Sequence, residues 1–238
     1  MPFVRAGLTK CFVALGVKLD KLAPTNAFYI MSLTTNNNKI DPRFALIDIA
    51  RDFYRKDWMV GTAGNLSARL DDGSFWITAS GKFKGELTTN DFVRVAPNGN
   101  VLETASTDVK PSAETIIHQT IYALFSEAFA CYHVHSIEAN IVSQFTSEDN
   151  LPLPPLEMLK GLGVWEENPQ VGMPLFENYL EVPRIATQIR DRFRMTPPMI
   201  PALLIRNHGV TVWASSLAAA RNYIELVEYI FRYMVAVK

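Results

Sequence analysis

The order of turn signals and periodic segments most constrains the fold of this chain. Asp72-Gly73 and Asn98-Gly99 each join segments in which apolar residues alternate, as in two-residue β-hairpins. Before and after these hairpins, apolar residues recur every three or four positions, notably after Asp41 and from Leu217 to about Val235. Hairpin strands interspersed with helices predict an α/β fold: a layered α/β/α domain with a central mixed, largely antiparallel sheet.

The middle of the chain supplies the remaining elements of this prediction. "KPSAETIIHQTIYALF" is interpreted as a helix opened by Pro111 and Ser112, and "FACYHVHS" as a strand followed by a helix that begins at Ser136. "NLPLPPLEMLKGLGVW" is interpreted as a proline-rich loop. A helix near "RIATQIRDRF" and the strands "PALLIRNHGV" and "VTVWA" complete the predicted order.

The N-terminal region differs in composition from the rest of the chain. "SLTTNNNK", residues 32–39, is polar and carries an asparagine run, which is typical of disordered or linker segments. We expect residues 1–39 to form a disordered N-terminal extension. A single folded domain is expected over residues 40–238.

Charge and composition exclude several classes of protein. A net charge of −1 and a pI near 6.4 give no electrostatic reason to expect a nucleic-acid or membrane-surface partner. No apolar run approaches the roughly 20 residues of a membrane-spanning helix, and "CFVALGV" near the N-terminus is soon interrupted by Lys18. Cys11 and Cys131 do not form the cysteine pattern of a secreted domain, so a cytoplasmic location is expected.

Two of the chain's four histidines lie one residue apart in "ACYHVHS". Residues two apart on a strand point to the same face, so His133 and His135 present their rings side by side. For an isolated pair, a structural role explains this pattern as well as a metal site does. His208, at the end of the apolar run "ALLI" and followed by Gly209, is the natural third ligand of a catalytic zinc site.

Two carboxylates are candidates for chemistry. Glu114 lies at the predicted start of a helix, where an acidic residue also complements the helix dipole. Glu157 lies in the apolar, proline-rich loop, where partial burial is expected to raise its pKa towards that of a useful acid or base. For either residue alone, an ordinary capping or solvated glutamate is the simpler interpretation.

Three short segments offer the ingredients of an anion site. "GTAGN", "TASGK" and "KPS" supply small residues, backbone N–H groups, hydroxyl groups and lysines. Each is a weak signal alone, because most such turns bind no ligand. Combined with a metal site, they favour a small phosphorylated substrate.

Five segments, in this order, resemble the class II aldolase and adducin family: "GTAGNLS", "ITASGK", "KPSAET", "YHVHS" and "RNHGV". The resemblance extends from Asp41 to the C-terminus. Within the family, "LPPLEMLKGLGVWEENP" is most similar to a branch that removes water from a phosphorylated sugar.

This resemblance implies roles for individual residues. His133, His135 and His208 match zinc ligands, with one Zn²⁺ per subunit, and Glu157 matches a general acid/base. Asn65, Ser80, Gly81 and Ser112 match positions that hold the substrate phosphate, and Lys82 is added to this set. Glu114, also counted among the substrate-binding residues, matches a carboxylate that lies near the metal. A homotetramer with its sites near the subunit interfaces is also implied. The alternatives are a zinc sugar-phosphate aldolase or epimerase, and a non-catalytic, adducin-like interaction domain.

Overall fold

The structure is a computed structural model that describes residues 41–238. The predicted N-terminal extension, residues 1–39, lies outside the described residues. Within these described residues the first helix begins at Pro42, with proline in the first turn where its missing N–H costs no hydrogen bond.

Helices and strands alternate along the described part of the chain. The helices are α1 Pro42–Arg55, α2 Thr115–Leu124, α3 Ile137–Val142, α4 Val182–Met195 and α5 Leu217–Ala236. The strands are β1 Asn65–Arg69, β2 Phe75–Thr78, β3 Phe92–Val95, β4 Val101–Glu103, β5 Ala130–Val134, β6 Asn150–Pro152, β7 Gly172–Phe176, β8 Ala202–Ile205 and β9 Gly209–Ala214. Short 3₁₀ helices cover Lys84–Glu86, Thr89–Asp91 and Glu157–Leu162.

These strands form one nine-stranded sheet in the order β4-β3-β2-β1-β5-β9-β8-β7-β6. Every neighbouring pair is antiparallel except β7 and β8, which run parallel. The predicted mixed, largely antiparallel sheet is therefore confirmed. Both predicted hairpin turns are also present, with Gly73 and Gly99 at positive φ, where glycine has no steric cost.

The sheet separates two apolar cores, one on each face. One face packs against α1, α3 and α5 through residues such as Phe53, Val142 and Phe231. The other packs against α2 and α4 through residues such as Ile121 and Ile189. This arrangement gives the three layers that the alternation of periodic segments predicts.

The predicted secondary structure was wrong in three places. Helix α2 begins at Thr115 and not at Pro111, because Pro111 forms an antiparallel bridge with Ala79 that keeps the preceding segment extended. The proline-rich loop contains strand β6 and a 3₁₀ helix. Strand β7 was not predicted, since its sequence, "GMPLF", carries both glycine and proline, which are depleted in strands.

Among residues 41–238, none of the helices combines the length and apolar character that crossing a membrane requires.

Candidate metal centre

Strand β5 brings the first two histidines to one side of the sheet. His133 lies in the strand and is almost completely buried, and His135 follows directly after it. The backbone N–H of His135 donates to the carbonyl oxygen of Trp58, which fixes the chain where the strand ends. The Nε2 atoms of the two rings are 2.7 Å apart, so both rings point to one place.

His208 reaches the same place from the turn between β8 and β9. Its ring centroid is 5.0 Å from that of His133 and 4.5 Å from that of His135. The next residue must be glycine, because a Cβ on Gly209 would overlap the carbonyl oxygen of Val134. The three histidines that the sequence singled out therefore converge.

Glu114 joins the three histidines from the segment that precedes α2. Its Oε1 lies 2.7 Å from His208 Nε2, and its Oε2 lies 3.5 Å from His133 Nε2. One atom of each of the four side chains falls within 4.8 Å of every other. Glu114 does not cap the helix with its side chain, so the dipole interpretation of this carboxylate was incomplete.

The protonation states suit metal binding. Burial lowers the pKa of His133 to about 4 and that of His135 to about 3, so both rings are neutral at neutral pH and each has one ring nitrogen without a proton. Burial opposes ionisation of Glu114, but contact with His133 and the hydrogen bond from His208 outweigh it and lower its pKa. Neutral imidazoles beside a carboxylate are a donor set that divalent metal ions prefer.

The outer nitrogen of one ring, that of His133, supports this interpretation. His133 Nδ1 lies 2.9 Å from Thr211 Oγ1, an outer hydrogen bond of the kind that fixes the tautomer of a metal-binding histidine. His208 Nδ1 is buried and has no hydrogen-bond partner within residues 41–238. We conclude that Glu114, His133, His135 and His208 form a cluster that fits a metal ion.

A buried chain of hydrogen bonds begins at Glu114. Asn65 Nδ2 donates to Glu114 Oε2, and Asn65 Oδ1 accepts from His118 Nε2 at 2.5 Å. His118 Nδ1 then accepts from Ser67 Oγ at 2.7 Å, and Ser67 Oγ accepts from the Tyr122 hydroxyl at 2.7 Å. Because the ionised carboxylate can only accept, the direction of each later bond follows.

This chain of bonds fixes the tautomer of His118. Its proton must lie on Nε2, so the ring is neutral, in agreement with a pKa that burial lowers to about 4. His118 is completely buried. Its position orients the Asn65 amide towards Glu114.

The other predicted substrate-binding residues lie on loops that hydrogen bonds hold together. Ser80 N–H donates to the carbonyl oxygen of Lys110, which places the Ser80-Gly81 turn beside the segment that carries Ser112. Ser112 Oγ accepts from the N–H of Glu114 at 3.3 Å. Gly81 has a φ of 69° and open space where a Cβ would stand.

Two predicted residues form ion pairs outside the cluster. Lys82 Nζ pairs with Asp91 Oδ1 at 3.0 Å on the surface. Glu157 is not in the four-residue cluster: its side chain is 79% exposed and pairs with Lys160 at 3.0 Å. The expected partial burial of Glu157 is therefore wrong for the chain by itself, because the 3₁₀ helix that it opens presents its side chain to solvent.

Sequence reasoning also missed two residues of the site. Thr211, the outer partner of His133, carries no motif, and only the pairing of β5 with β9 places it opposite that histidine. Lys84 is buried two residues after Lys82, where a lysine in a polar loop gives no signal of burial.

Comparison of the sequence with known proteins assigns the chain to a family. The sequence profile described as "Class II Aldolase and Adducin N-terminal domain" matches residues 44–235. The chain belongs to the class II aldolase and adducin family.

Several members of this family are closely similar to the chain. A protein of Microcystis aeruginosa named methylthioribulose-1-phosphate dehydratase is 66% identical over 196 residues, which cover 82% of this chain and 96% of that protein. A protein of Leptospira biflexa with the same name is 44% identical over 191 residues, which cover 76% of this chain and 90% of that protein.

Two solved structures are similar to the chain in fold. YgbL of Escherichia coli, described as a putative aldolase/epimerase/decarboxylase, has a TM-score of 0.70 at 27% identity, covering 82% of this chain and 89% of that one. An L-fuculose 1-phosphate aldolase has a TM-score of 0.68 at 25% identity, covering 84% and 87% of the two chains.

Proposed function

We propose that this chain is a methylthioribulose-1-phosphate dehydratase, a lyase of methionine salvage. It converts 5-methylthioribulose 1-phosphate to 2,3-diketo-5-methylthiopentyl 1-phosphate. The observation that carries the proposal is the 66% identity to the Microcystis protein of that name, over 96% of its length. The cluster of Glu114 and three histidines supplies the metal site that such chemistry needs.

The proposed metal is zinc, one ion per subunit, held by His133, His135 and His208 with Glu114 beside it. Three imidazoles with one carboxylate form a donor set that zinc accepts readily. When bound, zinc supplies a Lewis acid that polarises the substrate's carbonyl group. Thr211 orients His133, and Asn65 orients Glu114 by donating a hydrogen bond to its carboxylate.

The substrate phosphate is assigned to the loops that border the cluster. Asn65, Ser80, Gly81 and Ser112 lie on three segments that backbone and side-chain hydrogen bonds join to each other. Backbone N–H groups and hydroxyl groups in such turns bind phosphate oxygens. Lys82, predicted to contact the phosphate as well, pairs with Asp91 through its ammonium group.

Glu157 is the proposed general acid/base. Dehydration removes the C3 proton and the C4 hydroxyl group, and the resulting enol rearranges to the diketone. Glu157 takes the C3 proton as a carboxylate and returns a proton to the departing hydroxyl group, which leaves as water.

The exposure of Glu157 supports a homotetramer with sites at subunit interfaces. General acid/base chemistry favours a carboxyl group shielded from bulk water, yet the chain by itself leaves this one 79% exposed. Trp165, near the same 3₁₀ helix in sequence, is also largely exposed. A neighbouring subunit would cover both side chains.

The second candidate is a zinc sugar-phosphate aldolase, favoured by the fold shared with L-fuculose 1-phosphate aldolase. Product analysis separates the two. Zinc-loaded protein is incubated with 5-methylthioribulose 1-phosphate, and the products are identified by mass spectrometry and phosphorus NMR. We expect a product that has lost one water molecule, whereas a three-carbon phosphate would indicate the aldolase, and an unchanged substrate would refute both.

A further inference from the structure

Lys84 is a lysine buried inside the domain. Its side chain is 1% exposed, although lysine is almost never fully buried unless its charge is paired. Its Nζ donates to the carbonyl oxygens of Thr62 at 2.7 Å and Lys82 at 2.9 Å. In residues 41–238 no carboxylate forms an ion pair with it, and the third ammonium hydrogen has no acceptor.

The hydrogen bonds of Lys84 join the two glycine-containing loops beside the metal centre. Its backbone N–H donates to the carbonyl oxygen of Gly61 at 3.2 Å, and its ammonium group binds Thr62 in the same loop. Its bond to Lys82 holds the turn that contains Ser80 and Gly81. Lys84 is thus fixed beneath the loops that carry the proposed phosphate contacts.

The charge of Lys84 is felt inside the metal centre. Glu114 raises the pKa of Lys84, and Lys84 in turn contributes to lowering the pKa of His135. Burial is the larger influence and lowers the pKa of Lys84 to about 8, so the ammonium form still prevails at neutral pH. A buried ammonium group that contacts no carboxylate within residues 41–238, next to a proposed anion site, is an arrangement that a bound phosphate would complete.

Lys82 differs from Lys84 in each of these respects. It is 36% exposed, and its ammonium group already pairs with Asp91. We propose that Lys84, and not Lys82, provides the positive charge that binds the substrate phosphate, from beneath the Gly61–Asn65 and Ser80–Lys84 loops. The inference rests on the proposed function only in that a phosphorylated sugar occupies these loops.

Binding of inorganic phosphate to the zinc-loaded protein tests the assignment. Isothermal titration calorimetry is carried out on wild type, Lys84→Gln, Lys82→Gln and Lys56→Gln. Glutamine at position 84 retains donors for the two carbonyl oxygens without the charge, and Lys56 is a surface lysine paired with Glu225. We expect Lys84→Gln to weaken phosphate binding at least about tenfold, the effect of losing one charge-assisted hydrogen bond.

The two other variants should behave differently. Lys56→Gln is expected to bind phosphate as wild type does, and Lys82→Gln to lose less affinity than Lys84→Gln. Unchanged binding in Lys84→Gln, or a greater loss in Lys82→Gln, would overturn the assignment. Zinc content and circular dichroism establish that each variant is folded, and Lys84→Met, with a side chain of similar length, replaces Lys84→Gln if that variant is not.

This measurement is independent of turnover. If phosphate binding depends on Lys84 but no dehydration occurs, only the proposed function fails. If dehydration occurs but Lys84→Gln binds phosphate with wild-type affinity, only the assignment of Lys84 fails.

Discussion

Thr211 illustrates how one residue outside the cluster supports the metal centre. Its hydroxyl group is the partner of His133 Nδ1, and its backbone is paired directly with that of His133. Valine has nearly the same shape, so Thr211→Val removes the hydrogen bond and keeps the packing. We expect zinc affinity to fall by roughly 10- to 100-fold, as for other lost outer partners of metal-binding histidines. Competition with a chelator measures the affinity, and a wild-type value would remove Thr211 from the site.

Glu157 permits a test of the acid/base assignment. Glu157→Gln keeps the size of an exposed side chain but cannot accept or return a proton, so kcat should fall by a factor of roughly 10² or more. Zinc content and thermal stability should stay at the wild-type level. Glu167→Gln, at another exposed glutamate ten residues away, is the matched control. Equal kcat values for the two variants would show that Glu157 takes no part in proton transfer.

Individual residues differ in how far the sequence predicts them. His133 and His135 could be assigned to one face because strand geometry is local, and His208 followed as a third ligand. Glu114 was ambiguous, because an acidic residue near a helix start has an ordinary explanation that needs no tertiary contact. Lys84 could not be separated from Lys82, since burial depends on loops that meet only in the folded chain.

Helix α5 carries a buried carboxyl group whose cost depends on pH. Glu228 is completely buried, and neither oxygen makes a hydrogen bond of normal geometry within the described chain. Burial raises its pKa from 4.5 to about 8, although Ser136 and Arg232 favour the ionised form. The folded state therefore holds its proton more tightly than the unfolded state does. The free energy of unfolding should consequently fall as the pH rises from about 4.5 to about 8.

Glu228→Gln should remove this dependence, because glutamine stays neutral. Between pH 5 and pH 8 we expect wild type to lose about 1–3 kcal/mol more of its free energy of unfolding than the variant loses. Urea unfolding at the two pH values measures both quantities. Parallel pH profiles for wild type and variant would show that Glu228 is not protonated in the folded chain.

At the level of elements, the reliable predictions rested on local chemistry. Asp-Gly and Asn-Gly turns fixed two hairpins, and Ser136 caps α3 through its hydroxyl group, as expected. The predicted start of α2 was wrong because the bridge between Ala79 and Pro111 is a tertiary contact, which local sequence does not reveal. Strand β7 was not predicted because it forms through pairing with β6 and β8, which outweighs the weak strand preference of its own residues.

The whole molecule assembles its site from distant parts of the chain. Glu114 precedes a helix, His133 and His135 come from the middle of the sheet, and His208 comes from the β8–β9 turn. The fold class could be predicted because layers follow from the order of elements. The distances between these parts of the chain could not be predicted, because they depend on the order of the strands in the sheet. In that order β5 lies between β1 and β9.

Zinc stoichiometry tests most directly whether this assembly is a metal centre. By elemental analysis, wild type should carry about one zinc ion per chain, and His133→Ala/His135→Ala far less. His118→Gln, which removes the fourth histidine of the chain, should retain the metal, because His118 contacts Asn65 and not the cluster. Equal zinc content in wild type and the double variant would contradict the assignment of Glu114, His133, His135 and His208 as a metal centre.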